Sequence, residues 1–310
     1  MTTKNKNYLH MKTKLIILIV FVGTCAGQQS SRSWKDVNYA GDDKQYHCLD
    51  IFLPETIKPS YPAIVVIYGS AWFGNNGKES AFRIYGKPLL ESGFAVIAVN
   101  HRSSRDSIFP AQINDIKAAI RFIRANATTY QIDSKFIGVT GFSSGGHLAS
   151  LAGTTGKVKK FTVNTESADL EGKVGNNLKF SSSVDAVVDW FGPTSFRIMD
   201  TCDPEMNHNA ADSPESTLVG GPIQDNPDKC ALADPITYVD KNDPPFLIIH
   251  GDADNMVPYC QSQKLFEALQ LKKVPGQFVT VPNGGHGPGV FEDKYFKMMT
   301  EFFSAEANRK

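Results

Sequence analysis

Gly141, Phe142, Ser143, Ser144 and Gly145 form a Gly-x-Ser-x-Gly pentapeptide, a spacing that can present one serine hydroxyl as a nucleophile. The letters recur by chance and gain weight only from context. Residues 136–140 are apolar and β-branched and read as a buried strand, and residues 145–151 open a helix. The serine therefore falls on a sharp strand-to-helix turn. Glycines on either side suit a strained backbone with a strand and a helix pressed against it. The competing reading is a glycine-rich turn with an incidental serine.

A serine hydroxyl is a weak nucleophile until a base takes its proton. Of the seven histidines, His10 lies in an N-terminal leader, and His47 and His101 precede the serine beside early strands. His147 sits one helical turn beyond Ser143, pointing along the helix, and reads as structural. His208 belongs to an irregular stretch, and His250 closes a strand. His286 remains, in Asn283-Gly284-Gly285-His286-Gly287, a loop after the last strand whose glycines leave room for an imidazole to swing over the nucleophile.

The carboxylate that orients such a base comes between serine and histidine in chain order. The loop at residues 251–258 offers Asp252 and Asp254. Asp252 is nearer the strand and could instead accept from loop amides, so spacing leaves both open. No further ligands accompany this acidic loop, which makes a calcium or zinc site a poor reading. A tetrahedral intermediate also needs backbone donors. Tyr68-Gly69-Ser70-Ala71-Trp72 follows a strand, and a turn there could aim the Ser70 or Ala71 amide inward, beside that of Ser144. A simple β-turn is the alternative.

These groups must be held by a scaffold. From about residue 45 onward, short apolar runs alternate with amphipathic stretches, which predicts an α/β chain with a mostly parallel central sheet and helices on both faces. Strands are expected at 48–53, 63–68, 95–100, 136–140, 186–190, 246–250 and 277–281. Ile113, Ile116, Ile120 and Ile123 fall at helical spacing with Asp115, Lys117 and Arg121 on other faces, so residues 111–125 read as an amphipathic helix. Residues 28–310 form one expected domain. Within it, residues 195–243 are rich in Asp, Asn, Pro and Gly and read as an insertion that covers or shapes a site.

Lysine plus arginine and aspartate plus glutamate both number 32, which gives no electrostatic case for nucleic acid or an anionic membrane surface. Lys12 and Lys14 precede an apolar run at 15–22, followed by small residues to Gly27. Residues 1–27 thus read as a secretory signal peptide, with a run too short for an integral membrane span. Secretion or export to a periplasm follows, and Cys25 is a loose candidate for lipid anchoring. Cys48, Cys202, Cys230 and Cys260 remain. Cys202 with Cys230 is the favoured disulfide because both lie in one loop-rich stretch.

Several segments together resemble the α/β-hydrolase superfamily, and within it the bifunctional acetylxylan and feruloyl esterases of polysaccharide-degrading bacteria. They are His-Arg-Ser-Ser at 101–104, Phe-Pro-Ala-Gln at 109–112 with Asp115, the elbow through His147, Trp-Phe-Gly-Pro at 190–193, Ser-Pro-Glu-Ser at 213–216, Asp-Pro-Ile-Thr-Tyr at 234–238, and residues 250–263. The resemblance implies Asp254 as the acid, His286 as the base and Ser143 as the nucleophile. It also implies an acetyl or feruloyl ester on xylan-like carbohydrate as substrate, with Trp72 and Tyr259 against a sugar or aryl ring. No metal or organic cofactor is implied. The family's oxyanion turn usually reads His-Gly-Gly-Gly-Trp, so Tyr68, Ser70 and Ala71 are departures. Two rival readings are a peptidase resembling prolyl oligopeptidases and a non-catalytic carbohydrate-binding protein on the same scaffold.

Overall fold

The computed structural model describes residues 1–2, 32–202 and 205–309. Residues 3–27 of the expected signal peptide, Cys25 among them, lie outside these residues. Residues Ser31–Lys310 form one compact unit. The chain runs β1 (Ser33–Asn38), β2 (Cys48–Phe52), β3 (Tyr61–Ile67), α1 (Lys78–Glu91), β4 (Ala95–Val99), α2 (Ala111–Ala125), β5 (Ile132–Phe142), α3 (Ser144–Thr154) and a β6–β7 hairpin (Lys160–Val163, Glu166–Asp169). It continues with β8 (Ala186–Trp190), α4 (Pro214–Val219), α5 (Pro227–Ala233), β9 (Phe246–Gly251), α6 (Cys260–Leu271), β10 (Gly276–Val281) and α7 (Asp293–Ala307).

Eight strands make one sheet in the order β1-β2-β4-β3-β5-β8-β9-β10. Only the β1–β2 and β2–β4 pairings are antiparallel; the rest are parallel. All seven strands expected from sequence are present. Their β-branched runs are continuous because both faces of the sheet are covered. Along β3, Ala63, Val65 and Ile67 join one core with Ile113, Ile116, Ile120 and Leu265 from α2 and α6. Ile64 and Val66 face the other core with Tyr85 of α1 and Met299 and Phe303 of α7. Each such fully buried aliphatic side chain contributes about 1.5–3 kcal/mol.

Helix α2 has the bounds its periodicity predicts, but its charged positions do not face water. Asp115, Lys117 and Arg121 are buried. Lys117 Nζ donates to Thr155 O at 2.7 Å, Arg121 pairs with Glu171 and donates to Val174 O, and Arg102 meets Asp115 at 2.6 Å. Burial lowers the Lys117 ammonium to about 8, with Glu171 opposing. A period read from one helix cannot tell a solvent face from a face roofed by a later loop.

The disulfide is also a correction: Cys202 bonds Cys260, not Cys230. Cys260 opens α6, 58 residues downstream, with a Cα–Cα separation of 6.2 Å. Cys230 lies buried on α5 with its thiol toward Ile223 O. Nearness in sequence chose the wrong partner because the 195–243 stretch folds back onto the start of α6. That stretch holds α4, α5 and short helical turns at Phe196–Thr201 and Pro235–Tyr238.

Candidate active site

Parallel pairing brings five loops to one edge of the sheet. Ile67 is level with Gly141, Phe142 with Trp190, Trp190 with Ile249 and Gly251 with Val281. The chain leaves all these strands at their carboxyl ends, where functional groups collect in such sheets.

Ser143 stands between β5 and α3 with φ 55° and ψ −127°, a conformation that costs a non-glycine residue about 1–3 kcal/mol. Its surroundings enforce it: the Ser143 N–H donates to Trp190 O at 2.9 Å. A Cβ on Gly141 would lie 2.3 Å from Gly145 O, and one on Gly145 would lie 2.4 Å from Ile67 O. Only glycine at both positions lets strand, turn and helix approach this closely. Asp189, on β8, accepts from Ser150 Oγ at 2.7 Å and from the Gly192 amide at 2.9 Å, bracing the same corner. Burial raises its carboxyl.

His286 Nδ1 lies 2.8 Å from Asp254 Oδ2. Asp254 Oδ1 accepts from the Met256 and Val257 amides, both at 2.9 Å. His250 Nε2 is 3.4 Å from Oδ2. Burial alone would raise this carboxyl; the hydrogen bonds from His250 and His286 outweigh it and hold it well below the usual carboxylate range. Asp252, the other candidate, accepts from the Asn283 amide at 2.6 Å and ties the acid loop to the histidine loop. The role weighed for it in sequence, an acceptor for loop amides, is the one it has.

The turn after β3 is braced by the residues that depart from the family pattern. Tyr68 stacks on His101 at 4.7 Å with its hydroxyl on Gly74 O at 3.1 Å. The Ser70 amide, one of the expected oxyanion donors, instead donates to Ser144 Oγ at 2.9 Å. Among the described residues, the Ala71 and Ser144 amides donate to no other protein group. Ala71 has φ 51° and Trp72 φ 56°, so this turn holds two strained residues in succession.

Trp72 is too buried to stack on a sugar. Trp72 borders the cleft but is 1% exposed, and its indole N–H donates to His147 Nδ1 at 3.2 Å. His147 Nε2 in turn donates to Ala233 O at 2.9 Å, and burial lowers this imidazole to about 4. His147 is thus a neutral strut, as its position on the helix suggested. Tyr259 stacks on Phe278 and bonds Thr280, and it is not among the residues lining the cleft around Ser143.

Ser143, Ser144, Ala71 and His286 line one small cleft of about 40 Å³, closed by Met206 and Glu215 from the 195–243 stretch and by Met256. The Ser143 hydroxyl makes no hydrogen bond to the described residues. A larger groove of about 730 Å³ beside Lys35, Phe52 and Phe82 contains none of these groups. Sequence alone assigns neither Glu215 nor His208 a role at the site; Glu215 lines the cleft and His208 is buried behind it, Nδ1 3.2 Å from Oε2.

A model of the BD-FAE family matches residues 49–269. Esterase LipQ of Mycobacterium tuberculosis is 29% identical over 81% of this chain and 56% of its own length. The chain spans about half the length of the curated relatives it matches. Among solved structures, a truncated form of a carbohydrate esterase from gut microbiota is 51% identical, with a TM-score of 0.87, covering 91% of this chain and 99% of that one. The bifunctional GH43-CE protein of Bacteroides eggerthii is 55% identical, with a TM-score of 0.86, over 89% of this chain and 35% of that one. These matches include most of the segments that carried the resemblance, and the α/β-hydrolase fold it implied is the fold observed. No helix of the described residues is long and apolar enough to cross a membrane.

Proposed function

The chain belongs to the BD-FAE family, and on that premise we propose that it is a serine carboxylesterase acting on acyl esters of carbohydrate, with Ser143 as nucleophile, His286 as base and Asp254 as its orienting acid. The observation that carries this reading is the 2.8 Å bond from Asp254 to a histidine that shares its cleft with a strained serine.

Ser143 Oγ attacks the ester carbonyl carbon as His286 Nε2 takes its proton. The carbonyl oxygen gathers the negative charge, and the amides of Ser144 and Ala71 are the donors available to it. Asp254 fixes the imidazole with Nδ1 protonated and stabilises the imidazolium. The imidazolium returns its proton to the departing alkoxide, which leaves an acyl-Ser143 ester. Water then attacks this ester, giving its proton to His286; the carboxylic acid departs and Ser143 recovers its hydrogen.

The carbohydrate esterases among the structural neighbours support a sugar as the alcohol, and acetyl or feruloyl groups on xylan-like polysaccharide fit the family. Export is part of the proposal. The Cys202–Cys260 disulfide supports it, because such bonds persist outside the reducing cytosol.

The test compares the protein with its Ser143→Ala variant on p-nitrophenyl acetate, methyl ferulate and acetylated xylan, alongside labelling by a fluorophosphonate. Turnover and label are expected in the first and absent in the second. A protein that neither labels nor turns over any ester would make the carbohydrate-binding alternative the better reading.

A further inference from the structure

Glu215 is 3% exposed yet forms part of the wall of the cleft that holds Ser143 and His286. Its neighbours there include Met206, Pro214 and Met256, none of which offers a side-chain donor. Behind it, His208 is 2% exposed, with Nδ1 3.2 Å from Glu215 Oε2. The pair is close but lacks hydrogen-bond alignment, and His208 Nδ1, His208 Nε2 and Glu215 Oε2 have no hydrogen-bond partner. Among the described residues nothing donates to Glu215 Oε1 either. Burial alone would lower the His208 imidazole; the Glu215 carboxylate outweighs it and raises it. The backbone around the pair is fixed, with the His208 amide on Asp200 Oδ1 at 2.7 Å and Ser213 Oγ on His208 O at 2.6 Å.

A buried carboxylate whose one close partner, His208, sits off hydrogen-bond alignment keeps unused acceptor capacity, and an ionised carboxylate only accepts hydrogen bonds. A cleft with such a group in its wall is a poor host for a simple alkyl alcohol, which offers the carboxylate no donor. A hydroxyl close to the scissile ester would satisfy it. On a sugar ring that hydroxyl is on the carbon next to the ester-bearing one. The phenolic hydroxyl of a ferulate is separated from its carbonyl by a vinyl group and the length of a ring, so it does not lie beside the ester.

We propose that Glu215, backed by His208, is a specificity-determining residue that accepts a hydrogen bond from a free hydroxyl beside the ester, so that the preferred substrates are partly acylated sugars. This rests on the esterase reading above and names the alcohol that reading leaves open. Fully substituted or simple alkyl esters are cleaved without this contact.

The experiment compares kcat/KM on methyl β-xyloside carrying one acetyl group with the same ester whose neighbouring hydroxyls are O-methylated, for the full chain and for Glu215→Gln and Glu215→Asp. The native protein is expected to favour the free-hydroxyl substrate by at least about tenfold, the scale of a lost charge-assisted hydrogen bond. Both variants are expected to bring the ratio within about twofold of unity. Each ratio comes from one enzyme preparation, so a partly folded variant does not distort it. A native ratio near one, or a ratio that survives in the variants, overturns the proposal. A preference seen only for methyl ferulate over methyl 4-O-methylferulate overturns it too, because the carboxylate would then read a phenol. A native protein that cleaves none of these esters removes the esterase reading and this proposal with it.

Discussion

The Ser70 amide donates to Ser144 Oγ at 2.9 Å. This bond ties the turn after β3 to the residue following Ser143, so one serine side chain sets the distance between the two amides proposed to hold the oxyanion. Donor placement matters at the scale of fractions of an ångström. Ser144→Ala keeps the Ser144 amide and removes only the tie. It is expected to lower kcat by about tenfold on p-nitrophenyl acetate and methyl ferulate alike, with a smaller change in KM. A variant with reduced melting temperature but native kcat would show that the bond serves the fold alone.

Asp254 and Asp252 sit two residues apart but have different partners. Asp254 bonds His286, whereas exposed Asp252 accepts the Asn283 amide. Asp254→Asn is therefore expected to cut kcat by about 10³- to 10⁴-fold while leaving the fold intact, because the imidazole loses its orienting charge. Asp252→Asn should cost less than about tenfold, through a looser histidine loop. Steady-state kinetics of the two variants decide it; the reverse order would move the acid role to Asp252.

The strands are legible because a sheet covered on both faces needs continuous β-branched runs, and each run expected as a strand beyond residue 45 became one. Ser143, Asp252, Asp254 and His286 are legible as neighbours because they follow the carboxyl ends of strands that pair in parallel. What is not legible depends on a second layer. β1 is polar and half-exposed and is a strand only because it pairs with β2 at the sheet edge. The β6–β7 hairpin carries no alternation strong enough to mark it. Arg121 looks like a solvated helix position until the loop bearing Glu171 covers it. The Ser70 contact crosses 74 residues, and the Cys202 partner lies beyond an insertion whose path no local pattern encodes.

The Cys202–Cys260 bond closes a loop of 58 residues and anchors the stretch that supplies Met206 and Glu215 to the cleft. Chain entropy alone assigns such a link about 4 kcal/mol. Replacing both cysteines with serine is expected to lower unfolding free energy by up to that amount and to raise protease sensitivity within residues 195–243. Urea titration and limited proteolysis check the two effects. Unchanged stability would mean that the packing of this stretch suffices without the link.

His47 joins two carboxylates, with Nδ1 2.7 Å from Asp42 and Nε2 3.3 Å from buried Asp115. Burial alone would lower the imidazole, but Asp115 and Asp42 together raise it above its ordinary value. A folded-state value above the unfolded one means the native state binds the proton more tightly. The stabilisation is complete below the ordinary histidine range and is lost as pH rises through the folded value. The melting-temperature gap between the native protein and His47→Gln should thus be widest at about pH 6 and narrow toward about pH 9. Asp115 keeps its Arg102 partner in the variant, so the gap reads the imidazolium rather than a newly stranded carboxylate. A gap independent of pH would show that His47 is held neutral and contributes through packing against Tyr39 and Tyr46.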